Sequence, residues 1–285
     1  MSRIHRSAPI RRRSALRVLL AAVPSLLVIV GGALSTALQS IGLLPLVGQA
    51  RASTDAWTSI SEDLFRAVLV SLGIAASSTA LAVLVGSTAA FLIVSARRRS
   101  ARIVEALGAA TITVPHLIGA GAIGLLLADS GVLARLIPGV EWPPFVAGPW
   151  WGAVILEYAW KESAFIALVV VAALSTRVAR YDETAAVLGA RWSTRLRMVH
   201  IPLATPALVI SATIAFVYAL GSFEVAWLLG RTYPEPLAVL AMRLYTDVSV
   251  TARPEAAAVA TSIVLISALV AVAAFGLLRR SAVWR

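Results

Sequence analysis

The chain has 285 residues, of which 59% are hydrophobic and only 14% charged, with no cysteine and a formal net charge of +11. A soluble domain carries about 25% charged residues, so this composition, with a mean hydropathy of +0.87, excludes a soluble globular protein. The missing thiols exclude a disulfide framework, a thiolate metal site and a cysteine nucleophile.

Apolar runs of the length a bilayer needs occupy about 16–38, 64–95, 103–127, 150–174, 204–229 and 256–278. They are built of Ala, Leu, Val and Ile without period-two alternation. The expectation is therefore an all-α integral membrane protein with six transmembrane helices, not a barrel. The first run follows an arginine cluster and is longer than a signal-peptide core. It is read as a retained anchor behind a short N-terminal arm, residues 1–15, with one transmembrane domain over 16–285 and no soluble domain. The second run is longer than a bilayer requires and predicts a tilted or projecting helix.

Arginines alternate between the connecting segments. Arg3, Arg6, Arg11, Arg12, Arg13 and Arg17 precede the first run, and Arg97, Arg98, Arg99 and Arg102 follow the second. Arg177, Arg180, Arg191, Arg195 and Arg197 lie between the fourth and fifth, and Arg279, Arg280 and Arg285 close the chain. That is eighteen, against six (Arg51, Arg66, Arg135, Arg231, Arg243, Arg253) on the opposite side. The positive-inside rule then places both termini in the cytoplasm and accounts for the basic charge without nucleic acid.

In the third run Gly119, Gly121 and Gly124 offer a small-residue packing face. His116, behind Pro115, is read there as a hydrogen-bonded structural residue. Trp142, Pro143, Pro144, Trp150 and Trp151 crowd the next boundary and fit an interfacial belt anchored in lipid headgroups. In the fourth run Glu157 and Lys161 stand one helical turn apart, acid first, and are expected to pair within the helix.

The segment between the fourth and fifth runs reads Tyr181-Asp182-Glu183-Thr184-Ala185-Ala186-Val187-Leu188-Gly189-Ala190, then Val199-His200-Ile201-Pro202. Asp182 can cap a short helix with Glu183 in its first turn. Gly189 can turn the backbone sharply, a second helix can start at a Ser193 cap, and Pro202 is expected to break or kink the chain before the fifth run. The product is a helix-turn-helix elbow.

This elbow resembles the EAA loop in permease subunits of type I bacterial ABC importers, the binding-protein-dependent transport system inner-membrane component family. That family writes Glu-Ala-Ala, three residues, Gly, nine residues, then Ile-x-Leu-Pro. Glu183, Ala185, Gly189 and Pro202 fall in register, with Thr184, Val199 and Ile201 as conservative departures. Trp160-Lys161-Glu162-Ser163-Ala164-Phe165 is similar to the stretch preceding the family's loop, with Ala164 where a proline is common. Gly221-Ser222-Phe223-Glu224 and Leu228-Leu229-Gly230 look like the fifth-helix pattern of the iron, polyamine, thiamine and phosphonate branches. The resemblance covers about residues 60–280.

The resemblance implies a cytoplasmic coupling helix between the fourth and fifth spans, where Asp182, Glu183, Ala185, Ala186, Gly189, Ala190 and Pro202 would form the contact with cytoplasmic ABC ATPase subunits. It also implies a second permease chain, a different one favoured over a second copy, and an extracytoplasmic solute-binding protein, all at the bacterial inner membrane. No covalent chemistry and no cofactor are expected of the chain itself. A phosphate-binding loop needs Gly-x-x-x-x-Gly-Lys-Ser/Thr, whereas the single lysine, Lys161, stands between Trp160 and Glu162.

Charges within the runs should face protein or water, since each costs roughly 2.5–3.5 kcal/mol in lipid for Asp, Lys or Arg. Glu224 has no local partner and follows Gly221-Ser222-Phe223. Glu224, Ser222, Gly221 and Lys161 are therefore the candidates for a translocation path, with Glu224 favouring cationic solutes; a Glu224–Lys161 pair across helices is the alternative. Two rivals predict otherwise. An ion-coupled secondary transporter leaves the Glu183–Pro202 spacing unexplained and lacks the expected inverted second half, and a non-transporting scaffold needs no solute path.

Overall fold

The computed structural model describes residues 10–95, 98–137, 139–174 and 178–280. Residues 1–9 of the N-terminal arm, with Arg3 and Arg6, lie outside the described residues, as do Arg97, Arg177 and Arg285. Every regular element among the described residues is helical. In chain order these are α1 (Ile10–Ser40), α2 (Asp55–Ser59), α3 (Ser61–Ser95), α4 (Arg98–Thr113), α5 (His116–Leu127), α6 (Val132–Leu136) and α7 (Gly152–Leu174). There follow α8 (Val178–Val187), α9 (Trp192–Arg195), a π-turn at Leu196–His200, α10 (Ile201–Gly221), α11 (Glu224–Leu229), α12 (Leu237–Tyr245) and α13 (Arg253–Arg280).

Among the described residues five stretches are long and apolar enough to cross a membrane: Ala22–Ser40, Ser61–Ser95, His116–Leu136, Trp192–Gly221 and Val250–Arg280. They overlap the first, second, third, fifth and sixth apolar runs. The fourth run coincides with α7, whose 23 residues include Glu157, Lys161 and Glu162. At about 1.5 Å per residue its length matches a ~30 Å hydrocarbon core, but its interior carries charge.

Two runs expected as single helices are interrupted. The third breaks between Thr113 and His116, because Pro115 has no N–H to donate and restricts Val114 before it to extended backbone. The fifth ends at Gly221, where Ser222 turns extended (φ −78°, ψ 127°), and resumes as α11 at Glu224. Hydropathy alone does not register such breaks, since Val114, Pro115 and Phe223 are themselves apolar.

The bundle is centred on α7 lying along α3, with α10 packed against both. The face α3 buries carries Ala67, Ser71, Ala75, Ser78, Ala82, Gly86 and Ala90, a stripe of small residues at helical spacing, with Ile74 and Thr79 beside it. Such a stripe lets backbones approach closely in lipid, where apolar burial gives no drive to associate. The approach is close at Gly86, where a Cβ would stand 2.6 Å from the Ser163 carbonyl oxygen and 2.9 Å from the Ile166 Cβ. On the rim, α1 packs on α13, and Leu265, Leu269 and Val272 of α13 are exposed.

In the α5 glycine face, a Cβ on Gly119 would touch Glu157 and Trp160 of α7 and one on Gly124 would touch Leu229, while Gly121 faces open space. The tryptophan belt divides. Trp150 is exposed, but Trp151 is buried in the core and Trp142 donates its indole N–H to the Leu127 carbonyl at 2.8 Å. An orphan carbonyl at the end of α5 and a gap beside Gly230 draw these two rings inward.

Candidate functional site

The elbow is built by α8, the turn 188–191 and α9. Among the described residues its helix already runs from Val178, so Asp182 stands inside α8 and does not cap it. Ser193 likewise lies inside α9, whose N-cap is Arg191 and carries no side-chain bond. Gly189 does close α8. At φ +77° it donates its N–H to Ala186 O at 2.9 Å, and Ala190 donates to Ala185 O at 2.9 Å. These two bonds satisfy the last carbonyls of α8 as a Schellman motif, with Gly189 in the left-handed position that a side chain disfavours.

Asp182 has a different task. One carboxylate oxygen accepts from Arg195 Nη1 at 2.8 Å and the other from His200 Nε2 at 3.0 Å. The His200 ring is buried, edge-on to Trp192 at 5.2 Å and to Phe91 of α3 at 6.2 Å. Pro202 does not break the chain. It sits in the first turn of α10, and the π-turn before it carries the ladder through, Ile201 N–H reaching Leu196 O. A π-turn shifts the register by one residue, which removes the demand for the N–H that Pro202 lacks. Glu183, Thr184, Ala186 and Gly189 are exposed, Ala185 and Ala190 half-buried. Beside Glu183, Val187 and Leu188 are 87% and 81% exposed.

A second polar assembly lies in α7. The fully buried Glu157 accepts from His116 Nδ1 at 3.1 Å, and Glu162 stands 3.8 Å from His116 Nε2. Lys161 does not take Glu157 as its partner. Its ammonium donates to Thr111 O at 2.6 Å and to Val114 O. Pro115 has no N–H to close the helical bond to Thr111 O, which accepts the Val114 N–H in a turn bond at 3.3 Å and keeps a lone pair for Lys161, and a cation at a helix C-terminus also meets the negative end of the dipole. So α7 holds both sides of the broken segment, α4 through Lys161 and α5 through His116.

The second break faces the same helix. Tyr158 is buried and its hydroxyl lies 3.5 Å from Ser222 O, while the Tyr218 ring lies 4.7 Å from that of His116. Gly221 and Glu224 are exposed and Ser222 half-buried. Lys161 is buried instead of lining this face, and among the described residues no ion pair joins it to Glu224.

Residues 82–283, well over half of the chain, match the family described as binding-protein-dependent transport system inner membrane component. The chain belongs to that family. It is the permease subunit of an ABC importer, an inner-membrane transport component. This permease is 28% identical over 206 residues to the molybdenum transport system permease protein ModB of Mycobacterium tuberculosis, and equally to that of Mycobacterium bovis, covering 72% of its own length and 76% of theirs. Its fold is similar to that of a bacterial ABC transporter involved in import of the acidic polysaccharide alginate (TM-score 0.75, 19% identity, 96% of this chain and 98% of that one). It is also similar to the MetNI methionine ABC transporter in an inward-facing conformation (TM-score 0.62, 20% identity, 78% and 97%).

In the elbow, His200 and Arg195 bind Asp182 without being marked as site residues by the family pattern. His200 stands inside an apolar stretch where a polar ring needs a partner, and Arg195 counts in the sequence as one more positive-inside charge.

Proposed function

We propose that this permease crosses the membrane six times, α7 supplying the crossing that carries charge, with both termini in the cytoplasm. It pairs with a second permease chain, a different sequence favoured, above two cytoplasmic ATPase subunits, and receives solute from an extracytoplasmic binding protein. The exposed elbow carries this reading. Glu183, Ala186, Val187, Leu188 and Gly189 project from a capped helix into open space, and arginines crowd that side of the chain. Small residues let such a helix seat in a groove of the motor, and Glu183 can pair there with a basic side chain.

ATP binding would bring the two motor subunits together, move the elbows with them, and open the path toward the extracytoplasmic side; hydrolysis would reset it. On this chain the path runs along the face holding Gly221, Ser222 and Glu224. An exposed carboxylate is too costly to leave in lipid, so that face meets water or the second chain. Glu224 favours a cationic solute. The molybdenum named for the two mycobacterial relatives favours a second reading, in which the solute carries that metal.

Uptake in cells expressing the importer separates these readings from the rivals. ATP depletion is expected to abolish uptake and a protonophore to spare it when ATP is maintained; the reverse pattern would identify an ion-coupled carrier. Competition by spermidine against molybdate then decides the solute class, and dominance of molybdate would sink the cation reading.

A further inference from the structure

Among the described residues, neither buried apolar cluster of this permease takes a side chain from the elbow. Helix α8 packs on α9 and on the π-turn 196–200, and its Val187 and Leu188 face outward. The described side-chain bonds that tie it to α9 and the π-turn are polar. The half-buried Asp182 engages Arg195 at 2.8 Å through one oxygen and His200 at 3.0 Å through the other. Charge-assisted hydrogen bonds of this kind are roughly twice as strong as neutral ones, and partial burial spares them the screening that weakens surface pairs. His200 in turn is only 1% exposed, wedged between Trp192 and Phe91 of α3. Its other nitrogen, Nδ1, is buried with no hydrogen-bond partner, so the bond to Asp182 is what holds the ring's polar edge. One residue after His200, α10 begins and runs 21 residues to the break at Gly221.

We propose that Asp182, Arg195 and His200 are positioning residues that lock the elbow to the head of α10 and the end of α3, so that displacement of the elbow by an ATPase is delivered to the Gly221–Glu224 end of the path. The idea rests on the importer reading and adds to it a division of labour within the elbow. Glu183, Val187 and Leu188 make the motor contact; Asp182 and His200 transmit it. Loss of the clamp leaves docking intact and disconnects the path.

The test uses the assembled importer in membranes and needs no solute. The chain has no native cysteine, so a cysteine at Ser222 (Ser222→Cys) reports its accessibility to a membrane-impermeant maleimide, read on the tagged permease band. In the otherwise wild-type chain, ATP with vanadate is expected to change labelling by about fivefold or more, the lower end of typical site-to-site coupling. Asp182→Ala and His200→Leu should retain the co-purifying ATPase and lose that nucleotide response. His200→Gln, which restores an N–H donor at the same reach, should regain most of it, a rescue that simple repacking does not predict. The proposal is overturned if Asp182→Ala and His200→Leu respond as wild type does, or if either loses the ATPase, which would make the clamp a docking contact. Should Asp182→Ala fail to fold, the His200→Leu and His200→Gln pair decides alone. Absence of an ATPase from the wild-type preparation would overturn the importer reading and this proposal with it.

Discussion

Lys161 and Glu157 stand one turn apart on α7, and helix geometry alone makes them partners. The structure pairs neither with the other, because each finds a better mate across a helix boundary: the two carbonyls of Thr111 and Val114 at the end of α4 for Lys161, an imidazole for Glu157. Spacing reports which residues share a face. It does not report that Pro115, forty-odd positions away, will open a neighbouring helix and expose acceptors. Replacing Lys161 by Met should therefore destabilise the permease in detergent by about 1.5–3 kcal/mol, the range for hydrogen bonds to charged groups, measured by thermal unfolding. A Lys161→Met protein as stable as wild type would show that those bonds contribute nothing. His116 and Glu157 should be coupled in a double-mutant cycle. With His116→Phe and Glu157→Leu, the double variant is expected to lose less stability than the sum of the singles by at least about 0.5 kcal/mol, and strict additivity would contradict the contact.

At the scale of elements, the turn at Gly189 was legible and the limits of the helices around it were not. A glycine after an apolar helical stretch signals a left-handed closure, and φ +77° with two closing bonds is what forms. Asp commonly serves as a helix cap, yet α8 already runs from Val178 and the Asp182 carboxylate binds Arg195 and His200 instead. Pro202 likewise signals a discontinuity, but a π-turn absorbs it without ending the helix. Gly189→Val should cost about 1–2 kcal/mol for a side chain forced into the left-handed region, seen as faster limited proteolysis at the elbow with the bundle intact. Unchanged proteolysis would mean the turn tolerates a side chain. In the bundle, Gly86→Val places methyl groups where a backbone oxygen already stands 2.6 Å from the Cβ position. It should cost at least about 1–3 kcal/mol and lower the yield of folded permease; a normal yield and melting temperature would show that α3 and α7 separate freely.

Over the whole molecule, the apolar runs located the membrane-crossing material, and the arginine count supplied an orientation that the coordinates of one chain do not themselves carry. The path was the least legible part. On the proposed reading its wall follows a helix break at Gly221–Glu224 that hydropathy does not register, and a second permease chain would supply the other half and cover or face the exposed Glu224. The central claim is that the elbow is where an ATPase grips this permease, and co-purification from native membranes tests it most directly. A tagged wild-type chain is expected to bring down an ATPase and a second permease chain, while Glu183→Arg loses the ATPase and keeps the second permease and its own melting temperature. If Glu183→Arg retains the ATPase at the wild-type ratio, or if the wild type carries none, the elbow is not the coupling site and the account fails at its centre.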